Sequence, residues 1–202
     1  MPIAKGAPWG EAGPLPEGGV VVRSDAEART VVEEARRAGQ PVPPLGLLGG
    51  DLCRTLGGIG DEDRLRSPDA MRFPVDLGEV LLDGRLHFFV AHLVARTRGW
   101  GQALVAMNAQ FLGPWIVGVR AHPNDGLLDV YQARLSLADR LKVRGRLSHG
   151  AHLPHPGIEE RRTGAMQVEL ARPLPVRLDG ESFGEARNVS LRVVPDAITV
   201  VV

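Results

Sequence analysis

The pattern of hydrophobic positions in the first third of the chain predicts two short buried strands and two helices. Residues 20–22 and 45–48 are strand-sized apolar runs, while the apolar residues of 26–38 recur at helical spacing after a capping-box pattern. A glycine pair precedes a further helical turn at 51–56. Strand, helix, strand and helix in this order predict one parallel βαβ unit over residues 20–58, which is too small to be a domain by itself.

Beyond residue 70 the hydrophobic period changes to two, which is typical of strands. Residues 75–82 and 85–90 lie on either side of Asp83-Gly84, a pair that favours a type I′ hairpin turn. An amphipathic helix is predicted at 137–147. Further strand-like runs occupy residues 103–108, 115–121, 127–133, 166–170, 176–178, 189–194 and 198–202.

These elements predict an α+β fold, in which an antiparallel, β-sandwich-rich main domain follows a small residual βαβ unit at the N-terminus. The main domain is assigned to residues 70–202 and the βαβ unit to residues 20–58. Residues 1–19 are rich in proline and glycine and predict an irregular arm. The polar residues 59–69 predict a linker or surface loop.

Composition narrows the environment and the partners. The formal net charge is zero, so nothing in the overall charge favours nucleic acid or an anionic membrane surface. The longest apolar runs are strand-sized, which predicts no transmembrane segment. The single cysteine excludes an internal disulfide and fits a reducing cytosol, so we predict a cytoplasmic protein.

Three segments carry a resemblance to a known family. Residues 123–130 contain Asp-Gly-Leu-Leu-Asp, residues 173–181 end in Asp-Gly-Glu, and residues 45–57 contain a strand, an Asp-led helix and Leu-Gly. In combination these segments resemble the diacylglycerol and sphingosine kinase superfamily, including its bacterial lipid kinases. The resemblance covers residues 20–202. It implies the C-terminal domain of such a kinase, joined to a truncated and degenerate nucleotide-binding portion.

The resemblance also implies roles for four carboxylates. Glu181 would take the proton from a lipid hydroxyl as that alcohol attacks the γ-phosphate, with Asp179 as its neighbour or orienting group. Asp125 and Asp129 would support Mg²⁺ near the cleft, because carboxylate oxygens suit that ion. Each Asp-Gly pair can equally reflect turn chemistry alone.

The nucleotide-binding part departs from the family pattern. Where the family has Gly-Gly-Asp-Gly-Thr around the phosphates, this chain reads Arg-Ser-Asp-Ala-Glu, and Asp25 is the remaining match. The next phosphate-binding element has shrunk to Gly49-Gly50 before Asp51, and the family's opening strands would lie before Met1. The remaining cofactor-binding candidates are Asp25, Gly49, Gly50 and Asp51. We therefore predict a pseudokinase that does not bind ATP by itself.

One loop is a candidate ligand pocket. Arg96 and Arg98 flank a turn that carries Trp100 between two glycines, and Asn108 ends the following strand. The two guanidinium groups could meet a phosphate or carboxylate there. The alternative is a solvated hairpin loop without a ligand.

Other reactive side chains have weaker patterns. His149, His152 and His155 are three residues apart, in a loop that could gather them for Zn²⁺ or could simply be a polar connection. Cys53 follows a glycine pair in a first helical turn but has no histidine nearby in sequence. His87 and His92 alternate with Phe88, Phe89 and Val90, which is typical of half-buried structural histidines.

Three functions remain open from the sequence. The first is a degenerate lipid-kinase homologue that binds a lipid-like or phosphorylated small molecule in the old interdomain cleft, with Glu181 and Asp179 available for other acid–base chemistry. The second is an active ATP-dependent kinase for a lipid or small molecule, completed by a homodimer or a partner chain. The third is a non-catalytic interaction module. Loss of the glycine loop favours the first over the second, and survival of Asp-Gly-Glu argues against the third.

Overall fold

A computed structural model describes residues 9–202 of the chain. Within this range it contains helices and many short strands. The helices are α1 (Asp25–Arg37), α2 (Asp51–Thr55), α3 (Glu62–Leu65) and α4 (Leu137–Leu147). The strands are β1 (Glu11–Ala12), β2 (Val20–Val22), β3 (Leu45–Leu47), β4 (Met71–Leu82), β5 (Arg85–Phe89), β6 (His92–Arg96), β7 (Gln102–Met107), β8 (Phe111–Leu112), β9 (Trp115–Ile116), β10 (Leu128–Arg134), β11 (Ile158–Thr163), β12 (Ala165–Leu178) and β13 (Glu181–Val201).

One large sheet organises the described part of the chain. Eleven of its strands belong to this sheet, whose main order is β1-β4-β13-β12-β6-β7-β10-β11. The long strand β13 pairs antiparallel with β4 on one side and with β12 on the other. A separate small hairpin, β8–β9, stands apart from the sheet. The sequence prediction of an α+β fold with an antiparallel, sandwich-like body is confirmed.

Alternation along the strands divides the interior into separate cores. On β7, Leu104 and Ala106 face the core formed with β12 and β13, whereas Ala103 and Val105 face a second core. That second core also contains Tyr131 of β10 and lies near α4. The two faces of the same strands therefore pack into different hydrophobic cores.

The N-terminal βαβ unit extends the large sheet. Strand β2 runs parallel to β3, as the sequence predicts, and β3 runs parallel to the end of β13. Helix α1 buries Ala28 and Val32 in a core shared with β3 and β4. Its N-cap is Ser24, whose hydroxyl oxygen accepts from the Glu27 N–H at 3.1 Å. The domain boundaries predicted above stay predictions.

Several local predictions are confirmed in detail. Strands β4 and β5 form a hairpin in which Asp83 and Gly84 have φ of 46° and 86°, the positive values that a type I′ turn requires. Helix α4 has the predicted bounds. None of the helices in residues 9–202 is long and apolar enough to cross a membrane.

Other local predictions were wrong. Only Trp115 and Ile116 of the predicted strand 115–121 are in a strand. The predicted loop 59–69 contains α3, because Leu65 there is buried against the end of β13. Residues 9–19 of the predicted irregular arm include the short strand β1, and residues 1–8 lie outside the described part.

Strands β6, β8 and β11 were not predicted, and β12 and β13 were each predicted in pieces. The charged strand β11 forms the end of the sheet order, where polar side chains face solvent and no hydrophobic alternation is needed. Strand β6 directly follows the β5 hairpin. The strands predicted at 166–170 and 176–178 both belong to β12, and those predicted at 189–194 and 198–202 both belong to β13. The irregular pairing of these two long strands interrupts the alternation in their sequences.

Candidate functional site

A buried carboxylate organises the entrance to α2. Asp25 begins α1, and its side chain accepts hydrogen bonds from the N–H groups of Asp51 at 2.6 Å and Leu52 at 3.1 Å. Gly50, which directly precedes Asp51, has φ of 98°, and a Cβ at that position would lie 2.4 Å from an Asp25 oxygen. Glycine is therefore required where the backbone meets this carboxylate.

Asp51 links α2 to the separate hairpin β8–β9. Its carboxylate accepts from the Gly113 N–H at 2.9 Å and contacts His92 Nε2 at 3.0 Å. One turn later, Arg54 donates to the Gly113 carbonyl at 2.9 Å and stacks over the Phe111 ring at 3.8 Å. The first two turns after the glycine pair thus hold the tip of the hairpin in place.

Asp179 is fully buried and serves backbone groups. Its carboxylate accepts from the N–H groups of Val90 and Ala91, each at 2.9 Å, and from that of His92 at 3.1 Å. The side chain has 0% exposure. It sits in the β12–β13 turn and fixes the bend between β5 and β6. The Nε of Arg29 lies 3.8 Å from this carboxylate.

Arg29 of α1 connects this turn to Glu181. The guanidinium forms an ion pair with Glu181, donates to Glu33 at 3.1 Å and stacks on the Phe183 ring at 4.5 Å. Arg29 is almost completely buried, whereas 59% of the Glu181 side chain is exposed. Glu181 is therefore a paired surface carboxylate at the edge of the buried acidic group.

Burial and neighbouring charges set the protonation of this group. Burial raises the pKa of Asp25 to about 7, assisted by the nearby Asp179 charge and opposed by the two N–H donors. Burial also acts to raise the pKa of Asp51, but the hydrogen bonds from His92 and Gly113 outweigh it and lower the value. Burial disfavours the His92 cation, yet the Asp51 contact and the Asp179 charge raise its pKa.

These shifts predict a pH dependence of stability. An acid whose pKa is higher in the folded state than in the unfolded state stabilises the fold when protonated, so stability is lost as the pH rises. For Asp25 the window runs from about pH 4 to pH 7. Between pH 4.5 and 6.5, Asp25→Asn should flatten the decline of the unfolding free energy by about 1 kcal/mol per pH unit. Urea unfolding at a series of pH values measures this.

Asp61→Asn is the matched control for that experiment. Asp61 caps α3 by accepting from the Asp63 and Arg64 N–H groups, so it has the same local role, but it is exposed. Its replacement should leave the slope unchanged. Equal slopes for wild type and Asp25→Asn would contradict the assignment of the titration to Asp25.

One group of side chains in residues 9–202 has the spacing of a metal site. The ligand atoms of Asp25, Asp51 and His92 all lie within 4.8 Å of one another. An imidazole with two carboxylates suits a transition metal better than Mg²⁺. Here, however, the carboxylates already accept backbone N–H bonds, and the imidazole contacts Asp51 directly. The observed arrangement is a proton-linked hydrogen-bond network.

A cleft beside the network shares part of its lining with a larger, apolar cavity. The smaller cleft has a volume of about 220 Å³ and the larger, apolar cavity about 360 Å³; Trp100, Leu112 and Trp115 line both. The cleft is otherwise lined by His92, Val94, Arg96, Gly113, Arg177 and Gly180. The apolar cavity lies between α4 and the face of β7 and β10 that carries Val105 and Tyr131.

The comparison with protein families bears on residues 78–202. They match the family described as the YegS C-terminal NAD kinase beta sandwich-like domain, over more than half of the chain. The chain belongs to this family. No curated protein is similar enough in sequence to match it.

Solved structures of lipid-kinase-like proteins share the fold of this YegS-like chain. A diacylglycerol kinase from Bacillus anthracis str. Sterne aligns with a TM-score of 0.61 and 15% identity, covering 90% of this chain and 75% of that one. A proposed diacylglycerol kinase from the same strain aligns with a TM-score of 0.69 and 14% identity, covering 90% and 77%. The predicted membership of the diacylglycerol-kinase-like superfamily, through its C-terminal domain, is confirmed.

The residues with predicted catalytic and nucleotide-binding roles lie close together. Asp179, Asp25 and Asp51 form the buried network, with Glu181 at its edge. Gly49 is close-packed as well, since a Cβ there would lie 2.5 Å from the Arg23 carbonyl oxygen. Their roles in catalysis and cofactor binding stay predictions.

The predicted Mg²⁺ ligands contact a cationic side chain. Arg162 forms an ion pair with Asp125 and donates to Asp129 at 2.9 Å. The Tyr131 hydroxyl donates to the same Asp129 carboxylate at 3.3 Å. A guanidinium group therefore already neutralises these carboxylates, and the residues as arranged do not fit Mg²⁺. Binding of the ion there remains a prediction that requires Arg162 to move.

The predicted ligand-pocket residues divide between two places. Arg96 and Trp100 line the cleft, with the guanidinium 4.5 Å from the indole centre. Arg98 is exposed and lines neither cavity. Asn108 is buried elsewhere, and its amide donates to the Asp76 and Val90 carbonyls at 2.8 and 2.9 Å. Asn108 therefore secures the backbone near the β5–β6 bend.

The alternative metal and nucleophile candidates have structural surroundings. His149 contacts the Ser148 hydroxyl, His155 accepts from the Gly157 N–H, and His152 lies in the cavity wall, so the three rings are not gathered. Burial raises the pKa of the Cys53 thiol to about 11, with the Asp25 charge contributing, so its reactive thiolate is disfavoured.

Sequence reasoning missed three side chains of the site. His92 was interpreted as a structural histidine, Arg29 had no signal beyond its place on a helix, and Arg177 lies just before the Asp-Gly-Glu element. All three depend on contacts between distant segments. A basic residue preceding a suspected functional turn is the one signal that could have identified Arg177.

Proposed function

We propose that this YegS-like protein binds an anionic amphiphile, with the charged head in the arginine-lined cleft and the apolar chain in the cavity beneath α4. We further propose that the chain by itself does not bind ATP or transfer its phosphate. The observation that carries the proposal is that a 360 Å³ apolar cavity shares Trp100, Leu112 and Trp115 with a cleft that carries two arginines. Cavities of about 300–1,000 Å³ are the usual size of small-molecule sites.

The two arginines favour a negatively charged head group. Arg96 and Arg177 both line the cleft, and within residues 9–202 neither forms an ion pair with a carboxylate. Arg96 donates to the carbonyls of Thr97 and Arg98, and Arg177 donates to that of Gly180, so backbone contacts orient them. Burial and the charge of Arg177 lower the pKa of Arg96. A phosphate or carboxylate between these groups would relieve that repulsion.

The walls of the larger cavity favour an apolar chain. Val105 and Val117 are buried lining residues, and Ile158 is a partly buried one. At the α4 side, Leu137 and Leu141 also line the cavity, yet each is about two-thirds exposed, at 66% and 67%. Exposed leucines next to an apolar cavity mark a route by which a lipid chain can enter.

The Asp25 contact is the physical reason to expect no ATP binding. Phosphate-binding loops offer unpaired N–H groups to the phosphate oxygens. Here the N–H groups at the start of α2 already donate to the Asp25 carboxylate. A nucleotide would have to displace this carboxylate and then lie beside Asp51 and Asp179. Like charges in a partly buried site oppose that arrangement.

Fewer observations support acid–base chemistry on the bound molecule than support its binding. Glu181 is the candidate base, but Arg29 binds it, and Asp179 is committed to three backbone donors. A catalytic role would require the Arg29 pair to open when the ligand binds. We therefore propose that the protein binds this molecule and do not assign it catalysis.

Calorimetric titration tests both parts of the proposal. We expect no saturable heat with ATP and Mg²⁺ up to millimolar nucleotide, and saturable binding of palmitate and palmitoyl-lysophosphatidate. Uncharged monopalmitoylglycerol should bind more weakly, because it offers no anion to the arginines. Saturable ATP binding would instead support the active-kinase alternative.

A pair of arginine variants localises the head group. Arg96→Gln and Arg177→Gln should each weaken palmitate binding about tenfold, since each removes a charge-assisted hydrogen bond. Arg98→Gln is the control, because Arg98 is a close neighbour that lines neither cavity. Equal affinity in all three variants would exclude the cleft as the head-group site.

A further inference from the structure

Helix α4 exposes two leucines at the rim of the apolar cavity. Leu137 and Leu141 line that cavity, yet most of each side chain is exposed to solvent. The two residues are four apart, so they are neighbours on one face of the helix. A single exposed leucine needs no explanation. Two on one face beside an apolar cavity form a patch that a partner can cover.

The same helix concentrates positive charge. It carries four cationic side chains, Arg140, Lys142, Arg144 and Arg146, against one acidic side chain, Asp139. Lys142 lies 3.7 Å from Asp139, but both are solvent-accessible and such a pair contributes little. Arg144 and Arg146 are exposed, and within residues 9–202 neither forms an ion pair. The chain as a whole has no net charge, so this charge is local to α4.

The cations lie on both sides of the leucines. Arg144 follows Leu141 by three residues and lines the cavity with it, whereas Lys142 and Arg146 line neither the cavity nor the cleft. Helices that lie in a membrane interface have this pattern, because their apolar side chains enter the lipid while flanking cations contact anionic head groups. The charge on α4 therefore favours an anionic bilayer as the partner of the leucine patch.

The β6–β7 loop extends this cationic surface. Arg140 donates to the Gly99 carbonyl at 2.8 Å, which holds the loop against the N-terminal half of α4. The adjacent Arg98 is exposed, and within residues 9–202 it forms no ion pair. Gly99 and Arg140 both line the apolar cavity. Cationic groups therefore stand on both elements that form this part of the rim.

We propose that α4 docks on an anionic lipid bilayer, with Leu137 and Leu141 among the acyl chains and Arg144 and Arg146 against lipid phosphates. In this orientation the rim of the apolar cavity faces the bilayer. The inference goes beyond the proposed function, because it names a membrane surface as a partner and requires only the exposed face of α4.

Flotation of the full chain with lipid vesicles tests the inference. We expect binding to vesicles of phosphatidylcholine and phosphatidylglycerol in equal amounts, and little binding to vesicles of phosphatidylcholine alone. Binding to the anionic vesicles should weaken as the salt concentration rises, because salt screens exposed charges. These measurements use the unaltered protein, so they do not depend on the folding of any variant.

Two double variants locate the contact on α4. Arg144→Gln with Arg146→Gln should weaken binding to the anionic vesicles about thirtyfold, since each cation near such a surface contributes about fivefold. Leu137→Ser with Leu141→Ser should weaken it about tenfold, because the interface removes only part of their apolar area from water. All four positions are at the surface or the cavity rim, and circular dichroism checks the fold of both variants.

The chain offers a matched control for each double variant. Arg36 and Arg37 are exposed in the last turn of α1, as Arg144 and Arg146 are in the last turn of α4. Arg36→Gln with Arg37→Gln should therefore bind the vesicles like wild type. Leu86→Ser removes an exposed leucine from β5 and should also leave binding unchanged.

The outcomes separate this inference from the proposed function. Equal binding to neutral and anionic vesicles, or equal losses in the α4 variants and their controls, would overturn the docking. So would a dimer that the leucine variant abolishes, without vesicle binding, because it would assign the patch to a second copy of the chain. Palmitate titration without vesicles is independent. Palmitate binding without vesicle binding overturns only the docking, and the reverse result overturns only the proposed function.

Discussion

Replacement of Asp179 by alanine is expected to lower the free energy of unfolding by about 3–5 kcal/mol. The carboxylate is fully buried and accepts from the N–H groups of Val90, Ala91 and His92. Each buried donor left without a partner costs about 1–3 kcal/mol, and the variant also loses the charge beside Arg29. Chemical unfolding of both proteins at neutral pH measures the difference.

Asp83→Ala is a closely matched control. Asp83 and Asp179 both precede glycine in two-residue hairpin turns, and both have positive φ, 46° and 50°. The Asp83 carboxylate accepts from the Arg187 and Asn188 N–H groups, but it is exposed to solvent. Because both substitutions place alanine at a positive φ, the excess loss at position 179 reports the buried hydrogen bonds.

The comparison has a clear negative outcome. Similar losses for Asp83→Ala and Asp179→Ala would mean that turn conformation dominates, and that water reaches the N–H groups of the β5–β6 bend. A large loss only at position 179 would identify this Asp-Gly turn as a structural requirement. It would also mean that any catalytic test at Asp179 must first correct for folding.

Filling the apolar cavity is expected to weaken palmitate binding about a hundredfold. Ala133 lies half-buried on β10 and lines the cavity. An indole at this position, in Ala133→Trp, would occupy space that the chain needs. Exclusion of about four methylene groups, at about 0.8 kcal/mol each, corresponds to about 3 kcal/mol. That loss is about a hundredfold in affinity.

Ala165→Trp provides the control for this variant. Ala165 is an exposed alanine at the start of β12 and lines neither cavity. The control should bind palmitate like wild type, which separates cavity filling from a general effect of an added tryptophan. Titration calorimetry on both variants, with circular dichroism to check the fold, is sufficient. Undiminished binding by Ala133→Trp would place the lipid outside this cavity.

The contacts of α2 give a structural role to the residues that resemble phosphate-binding elements. Asp51 and Arg54 both hold Gly113 at the tip of the β8–β9 hairpin. That hairpin supplies Leu112 and Trp115, which line both the cleft and the apolar cavity. In the proposed function, residues that resemble phosphate-binding elements serve to shape a lipid site.

Much of the secondary structure could be predicted from local patterns. The type I′ turn at Asp83-Gly84 and helix α4 follow from turn chemistry and helical spacing, and both are present. Strand β11 could not be predicted in this way, because its charged side chains carry no alternation. Helix α3 depends on the burial of Leu65 against a strand more than a hundred residues later.

For the site, the sequence by itself determined the family resemblance and the Asp-Gly-Glu element, since both rest on short runs of neighbouring residues. Through the resemblance, it also predicted that the family's glycine loop is replaced around Asp25. Only the tertiary structure decided that Asp25 accepts the N–H groups at the start of α2, and that Arg162 contacts Asp125 and Asp129. It also placed the buried His152 in the wall of an apolar cavity. The physical reason is that burial and charge pairing arise between segments far apart in the chain, which local patterns do not record.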